Sequence, residues 1–207
     1  AIYWRGGAPA QTGTMLTNPA LAAFLKQLAA QGASAFYTGS NAAAIRNVVA
    51  QSPVNAATLT ADDLASYSAK DRRAVCSRYR RFTLCGMGPP SSGATTVFQI
   101  LGMLDRFDMG KLGKDNPQSW HLISEAMRLA YADREKYLGD RDFVDVPVAG
   151  LLDPAYMQAR SMLISPNHAR ESYTPGHPPG AASRTLAVQG EVPGTTHFAA
   201  VDGNGDV

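Results

Sequence analysis

Hydrophobic positions recur at helical spacing through most of the chain and at period two in one short stretch. Asn18-Pro19 offers an N-cap followed by a proline at the first helical position, and Leu21, Leu25 and Leu28 form an apolar stripe. Gly32 then stops that helix. A second helix is predicted from about Ser40 to Gln51, burying Ile45, Val48 and Val49. Thr60-Ala61-Asp62-Asp63-Leu64 reads as a capped short helix, with Asp63 in the capping-box place usually held by Glu. Pro89-Pro90-Ser91-Ser92-Gly93 breaks the chain, and a helix follows with Val97, Ile100, Leu101 and Leu104 on one side. Its serines read as a cap rather than a nucleophile, because the strand-turn-helix glycine pattern around a catalytic serine is missing. Asn116-Pro117 opens a longer helix to about Leu138, closed by Gly139, whose face carries Trp120, Ile123, Met127, Ala130 and Tyr131. Asp153-Pro154 caps one more.

The period-two stretches are residues 72–79 and 82–87, joined by Arg80-Arg81. They predict a hairpin, although Arg-Arg is not a favoured turn pair. If the turn is those two residues, 79 pairs with 82, and counting outward sets Cys76 opposite Cys85. Directly opposed residues have a spacing compatible with a disulfide. Two buried thiols acting as small apolar fillers remain the other reading.

Composition adds bounds. The 207 residues, 45% hydrophobic and 17% charged, fit a globular protein of one ordinary domain or two small ones. A net charge of +2 with scattered Lys and Arg gives no nucleic-acid patch. Asp71-Arg72-Arg73 reads as a strand end, and Arg78-Tyr79-Arg80-Arg81 as a strand running into its turn. No apolar run reaches the roughly 18 residues a membrane span needs. His121, His168, His177 and His197 show no paired metal-ligand spacing. The acidic groups Asp140, Asp142, Asp145 and Asp202, Asn204, Asp206 read as solvated turns rather than calcium loops. No metal and no cofactor is expected. Along the long helix, Glu125 can pair with Arg128 and Asp133 with Lys136, as surface or interlobe bridges. The N-terminus opens mid-pattern and shows no export signal, and the acidic turn near Val207 should feed a returning strand. Both suggest a piece of something longer.

The candidate chemistry sits near the end. Residues 165–194 read as a poorly structured connector rich in Pro, Gly, Ser and Ala, and Gly194-Thr195-Thr196-His197-Phe198-Ala199 follows as the start of a strand. A threonine hydroxyl in mid-chain is a poor nucleophile. If the bond before Thr195 is cut, its own α-amine, with a reference pKa near ~8, can take the Oγ proton. One cleavage would make both nucleophile and base.

Several blocks in order carry a family resemblance. They are Phe36-Tyr37-Thr38-Gly39, the stretch 59–67 (Leu-Thr-Ala-Asp-Asp-Leu-Ala-Ser-Tyr), Pro89-Pro90-Ser91-Ser92-Gly93 and the stretch 125–134 (Glu-Ala-Met-Arg-Leu-Ala-Tyr-Ala-Asp-Arg). Tyr137-Leu138-Gly139-Asp140, Phe143-Val144, Val146-Pro147-Val148 and Thr195-Thr196-His197-Phe198 complete the series. Together they resemble the gamma-glutamyltransferases (gamma-glutamyltranspeptidases) of the N-terminal nucleophile hydrolase superfamily. The resemblance implies an α/β fold, part of a four-layer αββα sandwich. It implies residues 1–164 as the later part of a large subunit, 165–194 as the connector to the processing site, and 195–207 as the start of a small subunit. The implied precursor cleaves itself between Gly194 and Thr195, giving a large/small heterodimer. The implied enzyme is a threonine-type acyltransferase and hydrolase. Thr195 would attack the γ-glutamyl amide of glutathione or a related compound, form a γ-glutamyl ester, and pass the acyl group to water or an acceptor amino acid. Location in the periplasm or outside the cell is likewise implied by resemblance alone.

Departures limit what transfers. The family's carboxylate-gripping arginine lies upstream of the matched region, and its pocket and oxyanion groups lie in the small subunit beyond the residues here. The chain by itself is therefore expected to be inactive. Ala94 stands where the family often has a second glycine, a minor change for backbone packing. Two rival readings remain: a related cephalosporin or glutaryl acylase, and a non-catalytic helical interaction domain in which Thr195 merely begins a strand.

Overall fold

The computed structural model describes residues 2–182 and Gly203. Gly194, Thr195, His197 and the Asp202, Asn204 and Asp206 of the acidic turn lie outside the described residues. Two units are resolved, Ala1–Asp71 and Arg72–Val207.

In the first unit a short antiparallel ladder joins β1 (Trp4–Arg5) to β2 (Ala8–Pro9). Four helices follow: α1 (Pro19–Gln31), α2 (Ser34–Tyr37), α3 (Gly39–Ala50) and α4 (Ala61–Ala65). Capping matches the sequence pattern. The Asn18 side chain accepts from Leu21 N, and Thr60 and Asp63 form a reciprocal box. Those bonds from Thr60 hold the Asp63 carboxyl below its ordinary range. The expected apolar burial fails. No α1 residue is buried, Leu21 and Leu25 are half exposed, and Val48 is open. Among the described residues of this unit only Ala35 and Ala42 are buried. The unit is knit instead by edge-on and stacked rings, Phe24–Phe36, Phe36–Tyr37 and Tyr37–Tyr67, with centroids 5.0–6.2 Å apart.

The second unit starts from a hairpin. β3 (Val75–Tyr79) pairs antiparallel with β4 (Phe82–Gly86), Tyr79 opposite Phe82 and Cys76 opposite Cys85. The strands are shorter than the alternation predicted. Arg72 lies before β3 and binds Asp142 at 2.9 Å and Asp140 at 3.6 Å. Counting from the turn makes the cysteine pair a non-hydrogen-bonded one, the closer kind. Its Cα atoms are 4.1 Å apart and its sulfurs are bonded. Arg80 takes φ 54° in the turn, a position usually given to glycine. Its side chain reaches Asp105 at 3.1 Å and the Phe107 carbonyl at 2.7 Å, which ties the turn down.

α5 (Gly93–Leu104) packs against the hairpin, against α7 (Pro117–Tyr137) and against α9 (Pro154–Ser161). The short turns α6 (Met109–Leu112) and α8 (Val148–Leu151) complete the unit. Two predicted faces are corrected. On α5, Thr95, Thr96, Phe98, Gln99, Met103 and Leu104 are buried, while Val97 is exposed. On α7, Leu122, Glu125, Ala126, Leu129, Ala130 and Asp133 face inward, while Trp120, Met127 and Tyr131 face outward. Trp120 satisfies its indole N–H at the surface, donating to the Lys114 carbonyl at 2.8 Å. Ser92 at the α5 N-cap makes no side-chain cap bond, and Ser91 Oγ accepts from Gly93 N instead. The main apolar cluster joins Met103, Leu104, Leu122, Ala126, Leu129, Ala130 and Ile164. A second joins Tyr137, Leu151 and Tyr156. Helices with two short ladders make the described part α/β.

Candidate functional site

The sequence's chemistry points to Thr195, and the last continuous described stretch before it is an arm, residues 165–182, with neither helix nor strand. This arm is far from loose. It lies on a polar cluster built by α7, α9 and α5.

Asp133 is the centre. It sits on the α7 stripe that also carries Leu122, Ala126, Leu129 and Tyr137, and it has no exposed surface. A carboxylate there needs a full set of donors. Oδ1 accepts from the Gly176 backbone N–H at 2.8 Å and pairs with Arg160 at 3.1 Å. Oδ2 accepts from the Tyr156 hydroxyl at 2.8 Å and the Gln99 side-chain amide at 3.1 Å. Burial first, then the adjacent Asp133 charge, raises the Tyr156 phenol far above its ordinary value, so it stays a donor.

Two further side chains grip the arm's main chain. Arg160 donates to the Thr174 carbonyl at 2.9 Å and to the Leu129 carbonyl on α7 at 3.0 Å. The Tyr137 hydroxyl donates to the Gly176 carbonyl at 2.7 Å. A Cβ on Gly176 would run into the Tyr156 hydroxyl, and one on Gly150 would run into the Pro179 carbonyl. Just upstream, Tyr173 donates to Glu125 and lies under the Arg128 guanidinium, 5.2 Å from its ring centre. Burial raises the Tyr173 phenol as well, with the Glu125 bond adding to it.

The helical pairs predicted from spacing are therefore corrected. Glu125 and Asp133 are buried and turn to the arm and to α9, not to Arg128 and Lys136 as surface bridges. Lys136 lies over the Tyr137 ring instead. One signal could have found this: Asp133 falls three and four residues from Ala130 and Leu129, on the apolar stripe itself. Asp140 and Asp142 share the Arg72 guanidinium, so they do not form an open cation loop. Among the described residues no group of three His, Cys, Asp or Glu could hold a metal ion. No described helix is long and apolar enough to cross a membrane. The predicted nucleophile Thr195 and the Gly194–Thr195 bond are not among the residues brought together here, since both lie outside the described residues.

Comparison with known proteins gives a consistent result. The family model described as Gamma-glutamyltranspeptidase matches residues 1–207. The "Glutathione hydrolase proenzyme" of Escherichia coli (strain K12) is 36% identical over 206 residues, covering 100% of this chain and 34% of that protein. The "Acylase ACY 1 proenzyme" of Pseudomonas sp. (strain SE83) is also 36% identical, over 207 residues, covering 100% of this chain and 35% of that one. Among solved structures, Helicobacter pylori gamma-glutamyltranspeptidase superposes with a TM-score of 0.71 at 36% identity, covering 84% of this chain and 50% of that one. The chain thus spans about a third of the length of these curated relatives.

Proposed function

Because the chain belongs to the gamma-glutamyltranspeptidase family, we propose that it is part of a self-processing precursor whose mature form transfers or hydrolyses γ-glutamyl groups. The observation that carries this reading is the match over residues 1–207, which includes Gly194-Thr195-Thr196-His197. Cleavage of the Gly194–Thr195 bond would free the Thr195 amine. That amine would take the Oγ proton as Oγ attacks the γ-glutamyl carbonyl carbon. The C–N bond would break, the proton would pass to the leaving amine, and a γ-glutamyl ester would remain on Thr195. Water or an acceptor amine would then release it. The domain division follows the same logic: residues 1–164 and the connector 165–194 on the large-subunit side, 195–207 on the small. Glutathione and other γ-glutamyl compounds are the proposed substrates, and the proposed assembly is the processed heterodimer.

A second reading, an acylase of the same family, is favoured by the equal identity to the Pseudomonas acylase proenzyme. It shares the Thr195 chemistry and differs in the acyl group.

The test is the intact mass of the full-length gene product after incubation, beside its Thr195→Ala variant. Two fragments meeting at Gly194/Thr195 in the wild type, and one uncut chain in the variant, are expected. An uncut wild type would leave the helical interaction domain as the surviving interpretation.

A further inference from the structure

We propose that Asp133, with Tyr137 and Arg160, acts as a positioning clamp for self-processing: it fixes the backbone of residues 174–176 and so limits the path of the chain that delivers the Gly194–Thr195 bond to cleavage. The proposal rests on the reading of Thr195 above. Three features of the cluster carry it. First, the bonds to the arm go to main-chain atoms, the Gly176 N–H and carbonyl and the Thr174 carbonyl. They set where the arm runs, whatever its side chains. Second, the Asp133 carboxylate on α7 is itself held from two other helices, by Gln99 on α5 and Tyr156 on α9. A buried, fully donated carboxylate has one geometry available to it, so the arm it holds has one as well. Third, the missing Cβ atoms at Gly176 and Gly150 let the arm approach closer than any other residue would allow.

Gly176 lies eighteen residues before Gly194. Without the clamp, the next side-chain hold upstream on the described arm is Tyr173 on Glu125, twenty-one residues before Gly194. The clamp moves the last such hold three residues nearer to the cleavage site. Loop-closure probability scales as the inverse three-halves power of length, so length alone is worth only about 1.3-fold. The clamp acts chiefly by setting the direction in which the chain leaves residue 176, and a displacement of about 1 Å at a reacting bond can cost about 100-fold. After cleavage Thr195 is no longer joined to the arm. The clamp should then matter to processing and not to turnover, a division that a purely structural role would not produce.

The experiment uses the full-length product carrying Asp133→Asn or Tyr137→Phe. Three readouts are taken: the first-order rate of processing by intact mass, the thermal midpoint, and kcat per processed site on γ-glutamyl-p-nitroanilide. Processing is expected to slow by at least about 2-fold and by up to about 100-fold in both variants, with kcat per processed site within twofold of wild type. Tyr137→Phe keeps the ring and loses only the hydroxyl, so it carries the test if Asp133→Asn does not fold. Wild-type processing rates in the variants would overturn the clamp alone, as would a fall in kcat per processed site that tracks the fall in processing. A wild type that is never cut removes the reading of Thr195, and the clamp goes with it.

Discussion

A phenol held against a buried carboxylate has a cost that depends on pH. In the folded protein the Tyr156 hydroxyl donates to Asp133 and its pKa is raised, by burial first and the Asp133 charge second. In the unfolded chain it titrates near ~10. Below that pH both states hold the proton, and the stabilisation is fully present. Above it the unfolded state releases a proton that the folded state keeps, so stability falls as pH rises toward the folded pKa. The expected outcome is an alkaline loss of thermal midpoint between about pH 9.5 and 11 that is shallower in Tyr156→Phe than in wild type. Equal slopes would place the alkaline transition elsewhere. Asp133 itself shows why such residues are hard to read in advance. Its sequence neighbours offered a lysine at helical spacing, and the partners it took are 23, 27, 34 and 43 residues away.

Elements were legible where local rules decide them. Proline, asparagine and aspartate marked the starts of α1, α7 and α9, and the capping residues bond as their types require. The hairpin register followed from one assumption, a two-residue turn at Arg80-Arg81, because period-two pairing leaves no further freedom. The buried faces of α5 and α7 differ from the ones that apolar spacing predicts, because apolar spacing does not register buried polar side chains. There the interior is partly polar: Thr95, Gln99, Glu125 and Asp133 are buried while Val97, Trp120 and Tyr131 face outward. The hairpin makes its own prediction. Cys76 and Cys85 both lie on its exposed face, so a reductant should reach their bond without denaturant. Peptide mapping after alkylation should show both unlabelled in the oxidised protein and both labelled after native reduction. Because the bond closes a short loop, with the cysteines nine apart, replacing both by serine should cost no more than about 2–3 kcal/mol. Labelling of either cysteine before reduction would mean the pair is not bonded.

At the scale of the whole molecule the open choice is the acyl group. This chain is as similar to a glutathione hydrolase proenzyme as to an acylase proenzyme, 36% in each case, so overall identity does not separate them. The chemistry of the two substrates does. A γ-glutamyl group and a glutaryl group share the distal carboxylate and the chain length, and differ by one α-ammonium. A site built to bind that ammonium leaves buried acceptors unpaired when glutaryl enters, and such sites reject the lesser analogue by about 10⁴–10⁵. A site without those acceptors has nothing to lose and would instead take on the cost of burying an unpaired charge with γ-glutamyl. The ratio of kcat/KM for γ-glutamyl-p-nitroanilide over glutaryl-p-nitroanilide, measured on the processed full-length protein, should therefore be far from one in either case. We expect it to exceed about 10³ in favour of γ-glutamyl. A ratio inverted toward glutaryl would make the acylase reading the right one while leaving the proposed processing at Thr195 untouched, because both proposed activities would draw on the same freed amine and hydroxyl.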